Sequence, residues 1–128
     1  MTMKRALVLF AHGARDPRWA EPFQRLQKIV EDQQPDVAVS LAFLEFMTPR
    51  LPELVQQLVQ SGCSEVTVVP VFFGQGGHVL RDLPVMLEQL KTDYPHLKLN
   101  AAAAVGEDAA VLNAIAKYCI STLSLPVQ

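Results

Sequence analysis

The chain has 128 residues, of which 50% are hydrophobic, and its 11 Lys and Arg against 13 Asp and Glu give a formal net charge of -2. This length supports one hydrophobic core and hardly two domains, so we expect a single domain over residues 1–128. The mixed charges form no basic stripe that could follow a phosphate backbone, which argues against nucleic acid as a partner.

Strand-like and helix-like segments alternate along the whole chain. In order, the predicted strands cover residues 6–11, 37–44, 66–73 and 97–105, and the predicted helices cover residues 17–33, 49–61, 82–93 and 108–123. This alternation is typical of a parallel sheet with helices on both faces. We therefore predict an α/β fold with a four-stranded, mainly parallel sheet.

Local signals suggest where several elements begin and end. Pro22 is comfortable only in the first turn of the first helix, and Gly62 is a plausible C-terminal cap of the second. Asp82 is a candidate N-cap of the third helix, with Pro84 in its first turn. The third strand is the most hydrophobic and is expected to be central, although Pro70 then requires a bulge or a locally unpaired site.

The sequence shows no sign of a membrane span or of export. The apolar run after Arg5 is only about seven residues long, which is too short to cross a bilayer. It ends in His12 and not in a small-residue cleavage site. Cys63 and Cys119 are far apart and form no C-x-x-C pattern, so we expect structural thiols in a reducing compartment. We predict a cytoplasmic protein.

Three potential metal ligands follow three successive predicted strands. His12 and His78 each lie in a glycine-bearing turn after an apolar strand, and Glu45 follows the strand between them in the chain. The carboxyl ends of parallel strands meet at one edge of a sheet, where α/β proteins bind ligands, so we expect these side chains to converge. Two imidazoles and a carboxylate suit Zn, Co, Ni or Fe(II), leave positions open for a substrate and can accept its protons.

Each of these residues also has a simpler structural interpretation. His12 could merely hydrogen-bond its own loop, and His78 could be an exposed loop histidine. Glu45 could serve the dipole at the next helix N-terminus. We interpret His96 as an ordinary turn residue and do not include it in the site.

The segments around the two histidines contain further candidates. The loop with Gly76 and Gly77 could bind phosphate through backbone N–H groups, but it matches neither G-x-G-x-x-G nor the P-loop, so a nucleotide site is a third hypothesis. Arg15 and Arg81 each lie a few residues from a candidate histidine, where a guanidinium can hold a carboxylate of an anionic substrate. The alternative for each arginine is a solvated charge or a pair with the nearby aspartate, Asp16 or Asp82.

Several sequence blocks, taken together and in order, resemble a known family. They are residues 12–17 (HGARDP), residues 43–45 (FLE), and residues 69–84, which run from VPVF through GGH to DLP, with Val105-Gly106 after the fourth strand. The combination resembles the short form of the sirohydrochlorin chelatases, the CbiX-type members of the class II chelatases. The resemblance covers most of the chain.

The resemblance implies insertion of a divalent metal (Co, Ni or Fe) into sirohydrochlorin, a tetrapyrrole on the routes to sirohaem and cobalamin, without ATP. It implies that His12 and His78 bind the incoming metal and help to take up the pyrrole protons, assisted by Glu45. The metal is then a substrate, and no permanently bound cofactor is expected.

Full-length members of the family carry two such halves with the active site between them, so the resemblance also implies a homodimer. Arg15, Arg81, Gly76 and Gly77 are then the candidate substrate-binding residues. The alternative hypothesis is a non-catalytic paralogue that carries metal or tetrapyrrole without inserting one into the other.

Overall fold

A computed structural model describes residues 4–74 and 77–124, and the side chains of residues 77–80 lie outside this description. The strands are β1 (Arg5–Ala11), β2 (Val37–Phe43), β3 (Glu65–Pro70) and β4 (Lys98–Ala101). The helices are α1 (Glu21–Gln33), α2 (Leu51–Gln60), α3 (Gly77–Asp93) and α4 (Ala109–Ser121). Short 3-10 helices cover Pro17–Ala20, Val105–Glu107 and Thr122–Ser124.

The four strands form one parallel sheet in the order β2-β1-β3-β4. In the shared register Leu7 lies between Val39 of β2 and Thr67 of β3. Because every strand runs in the same direction, all four carboxyl ends lie at one edge of the sheet. The predicted α/β fold is confirmed.

The main core lies on one face of the sheet. Val8, Phe10, Val66 and Val68 are fully buried there, and the apolar sides of α2 and α3 cover them. The opposite face carries a smaller cluster in which Phe23 of α1 packs near Ala11 and Phe43. The larger of the two clusters comprises Ala6, Val8, Phe10, Ala42, Leu51, Leu54, Val55, Leu58, Cys63, Val66, Val68, Phe72, Leu83, Leu87, Leu90 and Leu99.

The third helix differs from its prediction. It begins at Gly77, so Asp82 is not its N-cap and Pro84 lies inside the helix, beyond the first turn. An interior proline removes a backbone hydrogen bond, which makes the helix less stable locally. Leu83, Leu87 and Leu90 are buried at helical spacing, and this burial holds the helix together through the proline.

The strand boundaries also differ from the sequence-based ones. β3 ends at Pro70 and not at Phe73, although the amide of Val71 still donates to the carbonyl of Phe10. β4 ends at Ala101, and Val105, predicted as strand, begins a 3-10 helix.

Among the described residues, no helix is long and apolar enough to cross a bilayer.

Gly62 closes α2 as predicted. Its amide donates to the carbonyl of Val59, and the amide of Cys63 donates to the carbonyl of Leu58, which together form a Schellman motif. Gly62 has a φ of 96°, in the left-handed region.

We expect Gly62→Ala to lower the free energy of unfolding by about 1 kcal/mol, because an L side chain is strained at this φ. A Cβ at position 62 would meet no atom within 4 Å, so the backbone conformation alone sets the cost. Urea denaturation followed by circular dichroism measures it. Gly74→Ala, at a glycine without positive φ, is the control, and equal effects of the two substitutions would contradict this explanation.

Candidate functional site

The chain segments that follow β1 and β2 remain paired beyond the strand ends. The amide of Leu44 donates to the carbonyl of Ala11 at 2.9 Å, and the amide of Glu45 donates to the carbonyl of His12 at 3.0 Å. These backbone bonds extend the parallel ladder into the loops. His12 and Glu45, 33 residues apart in sequence, therefore lie side by side at the carboxyl edge of the sheet.

The side chains of His12 and Glu45 form a hydrogen bond, with Nε2 of His12 3.0 Å from Oε1 of Glu45. Their side chains are 48% and 44% exposed, so the pair is open to a ligand. An ionised Glu45 can only accept, so Nε2 carries the hydrogen, and Nδ1 of a neutral ring keeps its lone pair. The arrangement supplies one nitrogen that can bind a metal or accept a proton.

Phe72 supports the imidazole from the protein side. Its buried ring lies edge-on to His12, with 6.3 Å between ring centroids, and it makes a similar edge contact with Phe10 at 5.8 Å. Such edge-to-face contacts are favourable for aromatic rings. They connect the position of the His12 ring to the main core.

Gly13 makes the close approach of the two loops possible. It has a φ of 99°, and a Cβ at this position would overlap the carbonyl oxygen of Glu45. Only glycine combines this conformation with this contact. The glycine after His12 is therefore a structural requirement of the pair.

A cavity of about 370 Å³ opens beside the pair. This is the size of a small-ligand site. Its described lining residues are His12, Leu44, Glu45, Arg50, Asp82 and Met86. Helix α3 thus forms one wall, and Asp82, which the sequence placed at a helix start, faces the site. Val79 and Leu80 lie four and three positions before Leu83 in the sequence, and this helical spacing is the signal that could have shown that the helix extends back through Asp82.

The other predicted site residues are distributed as follows. His78 is the second residue of α3, four positions before Asp82, and its side chain lies outside the described residues. Gly77 is the first residue of the same helix, and Gly76 lies outside the described residues. Arg81 is exposed on α3 and is not among the described residues that line the cavity.

Arg15 lies over an aromatic ring, and its neighbour Asp16 has another partner. The guanidinium carbon of Arg15 is 5.1 Å from the ring centroid of Phe46, within cation–π range. Asp16 instead binds Arg18, with 2.7 Å between Nη2 and Oδ2. Hydrogen bonds from the Arg18 side chain and backbone lower the pKa of the Asp16 carboxyl. The alternative Arg15–Asp16 pair is therefore not formed.

Sequence analysis did not identify two exposed aromatic residues at this edge. Phe46 directly follows Glu45 and is 54% exposed, and Phe73 directly follows Phe72 and is 66% exposed. Phe46 has a φ of 68°, which is rare for a bulky residue. Exposed aromatic rings in the segments that follow β2 and β3 are typical of a ligand-binding surface.

Phe46 also borders a second cavity. This cavity has a volume of about 380 Å³, and Arg15, Phe46, Met47 and Thr48 are among its lining residues. Guanidinium and aromatic groups together suit a ligand that carries carboxylates on a flat ring. No sequence signal at Phe46 indicates its positive φ, so its exposure could not be anticipated.

Within the part of the chain whose side chains are described, no three His, Cys, Asp or Glu residues form a group that could hold a metal ion. The described site offers His12 and Glu45 as neighbouring donors. Two donors leave most of a metal's coordination sphere open, in contrast to a closed structural site with four protein ligands.

The chain has a parallel α/β sheet with an exposed imidazole–carboxylate pair at its carboxyl edge. It therefore falls in the class of ligand-binding α/β proteins that can hold a metal weakly. Within that class the chain can be assigned further. The CbiX family model matches residues 6–121, and the chain belongs to the CbiX family.

Similar proteins include three archaeal sirohydrochlorin cobaltochelatases. The chain is 33% identical over 89 residues to that of Methanocaldococcus jannaschii, covering 70% of this chain and 62% of the relative. It is 35% identical over 82 residues to that of Methanopyrus kandleri, covering 64% and 57%. The matches span about three fifths of these relatives. The Sulfolobus acidocaldarius protein is 28% identical over 119 residues, which cover 93% of each chain.

Solved structures show the same fold. A CbiX protein of Marinobacter aquaeolei VT8, described as a cobalamin biosynthesis protein, superposes with a TM-score of 0.81 at 28% identity over 93% of this chain and 97% of the other. The sirohydrochlorin chelatase SirB from Bacillus subtilis subspecies spizizenii in complex with cobalt superposes with a TM-score of 0.78 at 20% identity. The latter match covers 93% of this chain but 51% of SirB.

Proposed function

We propose that this chain is a chelatase that inserts a divalent metal into sirohydrochlorin without ATP. The observation that carries the proposal is the half-exposed His12–Glu45 pair beside an open cavity at the carboxyl edge of the sheet. Membership of the CbiX family and similarity to proteins named sirohydrochlorin cobaltochelatase support it.

The reaction exchanges two pyrrole N–H protons for one divalent metal, so the site must supply proton acceptors and hold the metal only weakly. His12 Nδ1 binds the metal first and accepts a proton once the metal has passed to the ring, and the carboxylate of Glu45 stabilises the imidazolium that forms. A site with few protein ligands releases the metal to the four ring nitrogens, whereas a closed cage would retain it.

His78 is the proposed second histidine of this site. Its support is its place in the chain, four residues before Asp82 in α3, the helix that forms a wall of the cavity. Residues four apart lie on the same side of a helix. We propose that it acts with His12 and Glu45 as a metal ligand and takes the second proton.

The substrate is a flat conjugated ring with carboxylate side chains. The exposed rings of Phe46 and Phe73 offer apolar surface to the macrocycle, and Arg15 offers a guanidinium to its carboxylates. Arg81, Gly76 and Gly77 are proposed as further contacts on the α3 side of the site. The phosphate-binding hypothesis for this loop has no support beyond the two glycines.

Cobalt, nickel and iron remain the candidate metals, because a histidine–carboxylate set binds all three. The SirB structure with cobalt concerns that protein and agrees with cobalt as one of them. The metal is proposed as a substrate, without a permanently bound cofactor. We further propose a cytoplasmic homodimer, in which a second copy supplies the half that SirB carries within one chain.

The test is the change in absorbance of anaerobic sirohydrochlorin with Co(II), Ni(II) or Fe(II), with and without the protein. We expect the protein to accelerate insertion of at least one of these metals. Spectral shifts from binding, without faster insertion, would favour the non-catalytic carrier. No spectral response and no acceleration would overturn the proposal.

A further inference from the structure

Helix α4 is an apolar helix without cover. Its sequence, AAVLNAIAKYCIS, contains one charged residue, Lys117. None of its residues is buried, and Tyr118 and Ile120 are 71% and 64% exposed. A helix that is apolar on nearly all sides belongs in a protein interior. The exposure of α4 therefore indicates that another surface covers it.

Among the described residues, one half of one sheet face lacks cover as well. Along β3 the residues on the α2–α3 side, Val66 and Val68, are fully buried, whereas Thr67 and Val69 on the opposite side are only partly buried. Asn100 of β4, on that same side, is exposed. Parallel sheets are normally covered on both faces. We call the surface formed by Leu7, Thr67, Val69 and Asn100 the open face.

The open face results from the position of α1. This helix packs against β2 and, to a smaller extent, β1, so it covers only half of its side of the sheet. The half over β3 and β4 is the position that one more helix would occupy. Helix α4 packs mainly against the two 3-10 helices that flank it in the chain. The described part of the chain thus has one uncovered helix and one uncovered helix position.

The beginning of α4 is fixed close to the candidate site. The amide of Gly106 donates to the carbonyl of Phe72, and a Cβ at Gly106 would overlap the carbonyl of Phe73, so this segment is held against the carboxyl edge. Asp108 caps the helix by accepting from the amide of Val111. Because Phe72 also contacts His12, the segment that leads into α4 lies near the candidate site.

We propose that two copies of this chain exchange their α4 helices, each helix packing on the open face of the other copy. The proposal rests on the homodimer of the proposed function and specifies its interface. The open face and α4 are present once in every copy, so a two-fold exchange covers both in each copy and leaves neither exposed. Thirteen helical residues span about 20 Å, enough to cross β3 and β4.

Cross-linking of the wild-type protein tests the exchange directly. Lys117 lies on α4 and Lys98 on β4, in the strand bordering the open face. Copies labelled with ¹⁵N and unlabelled copies are mixed after unfolding and refolding, treated with a lysine-reactive cross-linker and analysed by mass spectrometry. We expect Lys117–Lys98 links that join labelled to unlabelled chains. Links confined to single chains would overturn the proposal, because they would place α4 on its own sheet.

Sedimentation provides an independent test. The wild type is expected to sediment at twice its monomer mass of 14.1 kDa, and both Ile120→Asp and Thr67→Glu are expected to shift it toward the monomer. Val85→Asp, at a 70% exposed residue of α3, is the matched control and should remain dimeric. A monomeric wild type would overturn the exchange, as would a dimer that Thr67→Glu leaves intact.

These measurements need neither metal nor tetrapyrrole. Loss of the proposed chelatase activity would therefore leave the exchange standing if the mixed cross-links are found. Conversely, a wild-type protein that inserts metal but sediments as a monomer would support the proposed reaction and rule out the exchange of α4.

Discussion

Replacing His12 with alanine is expected to lower the rate of metal insertion at least about a hundredfold, the usual contribution of a positioned proton acceptor. His12 lines the cavity, and Glu45 binds its Nε2 at 3.0 Å, which leaves Nδ1 as the proton acceptor. The His12→Ala variant keeps Glu45 but has no imidazole to accept the proton. Stopped-flow absorbance of anaerobic sirohydrochlorin with Co(II) measures the rate.

Two further variants make the result specific. His96→Ala removes an exposed histidine from the turn before β4, at the opposite edge of the sheet, and should retain full activity. Glu45→Gln keeps a hydrogen-bonding side chain but removes the charge that stabilises an imidazolium, so it should lower kcat more than it raises KM. Unchanged turnover in His12→Ala, with the fold intact by circular dichroism, would show that His12 is not the proton acceptor.

The sheet could be predicted because its signals are strong and local. Apolar runs of strand length alternate with helical periodicity, and that pattern specifies a parallel α/β fold. The start of α3 could not be predicted in the same way. Asp82 and Pro84 together imitate a helix N-terminus, whereas the helix begins five residues before Asp82, at Gly77.

The exposure of α4 illustrates a second limit. Its apolar composition suggests burial, as for any helix of this kind, and the predicted helix from 108 to 123 agrees closely with the observed Ala109–Ser121. Composition cannot say which surface provides the cover. The covering surface can be inferred only from the open face over β3, which forms because α1 packs over β2 and β1 and leaves β3 uncovered.

The proximity of His12 and Glu45 follows from topology, since parallel strands place their carboxyl ends together. The surroundings of the pair depend on conformations that carry no sequence signal. Phe46 has a positive φ that is unusual for an aromatic residue. Asp16 was a candidate partner of Arg15, but its carboxylate instead accepts a hydrogen bond from the Arg18 amide.

Gly13→Ala is expected to lower the free energy of unfolding by about 3 kcal/mol, from two separate costs. A φ of 99° strains any L residue, by roughly 1–2 kcal/mol. The new Cβ would also overlap the carbonyl of Glu45, a backbone atom, and such overpacking costs about 1–3 kcal/mol. Urea denaturation measures the sum, and Gly62→Ala, which has the strained φ without the overlap, separates the first cost from the second.

The same substitution should reduce metal insertion even under conditions where the protein remains folded. Relief of the overlap requires the loop of Glu45 to move away from that of His12, which breaks the bond between the Glu45 amide and the His12 carbonyl. The side-chain pair then loses its 3.0 Å geometry, although both side chains are still present. A folded Gly13→Ala protein with wild-type turnover would show that the pairing of the two loops is not needed for the reaction. Low turnover in Gly13→Ala together with normal turnover in Gly62→Ala would show that the approach of the two loops, and not stability alone, supports the reaction.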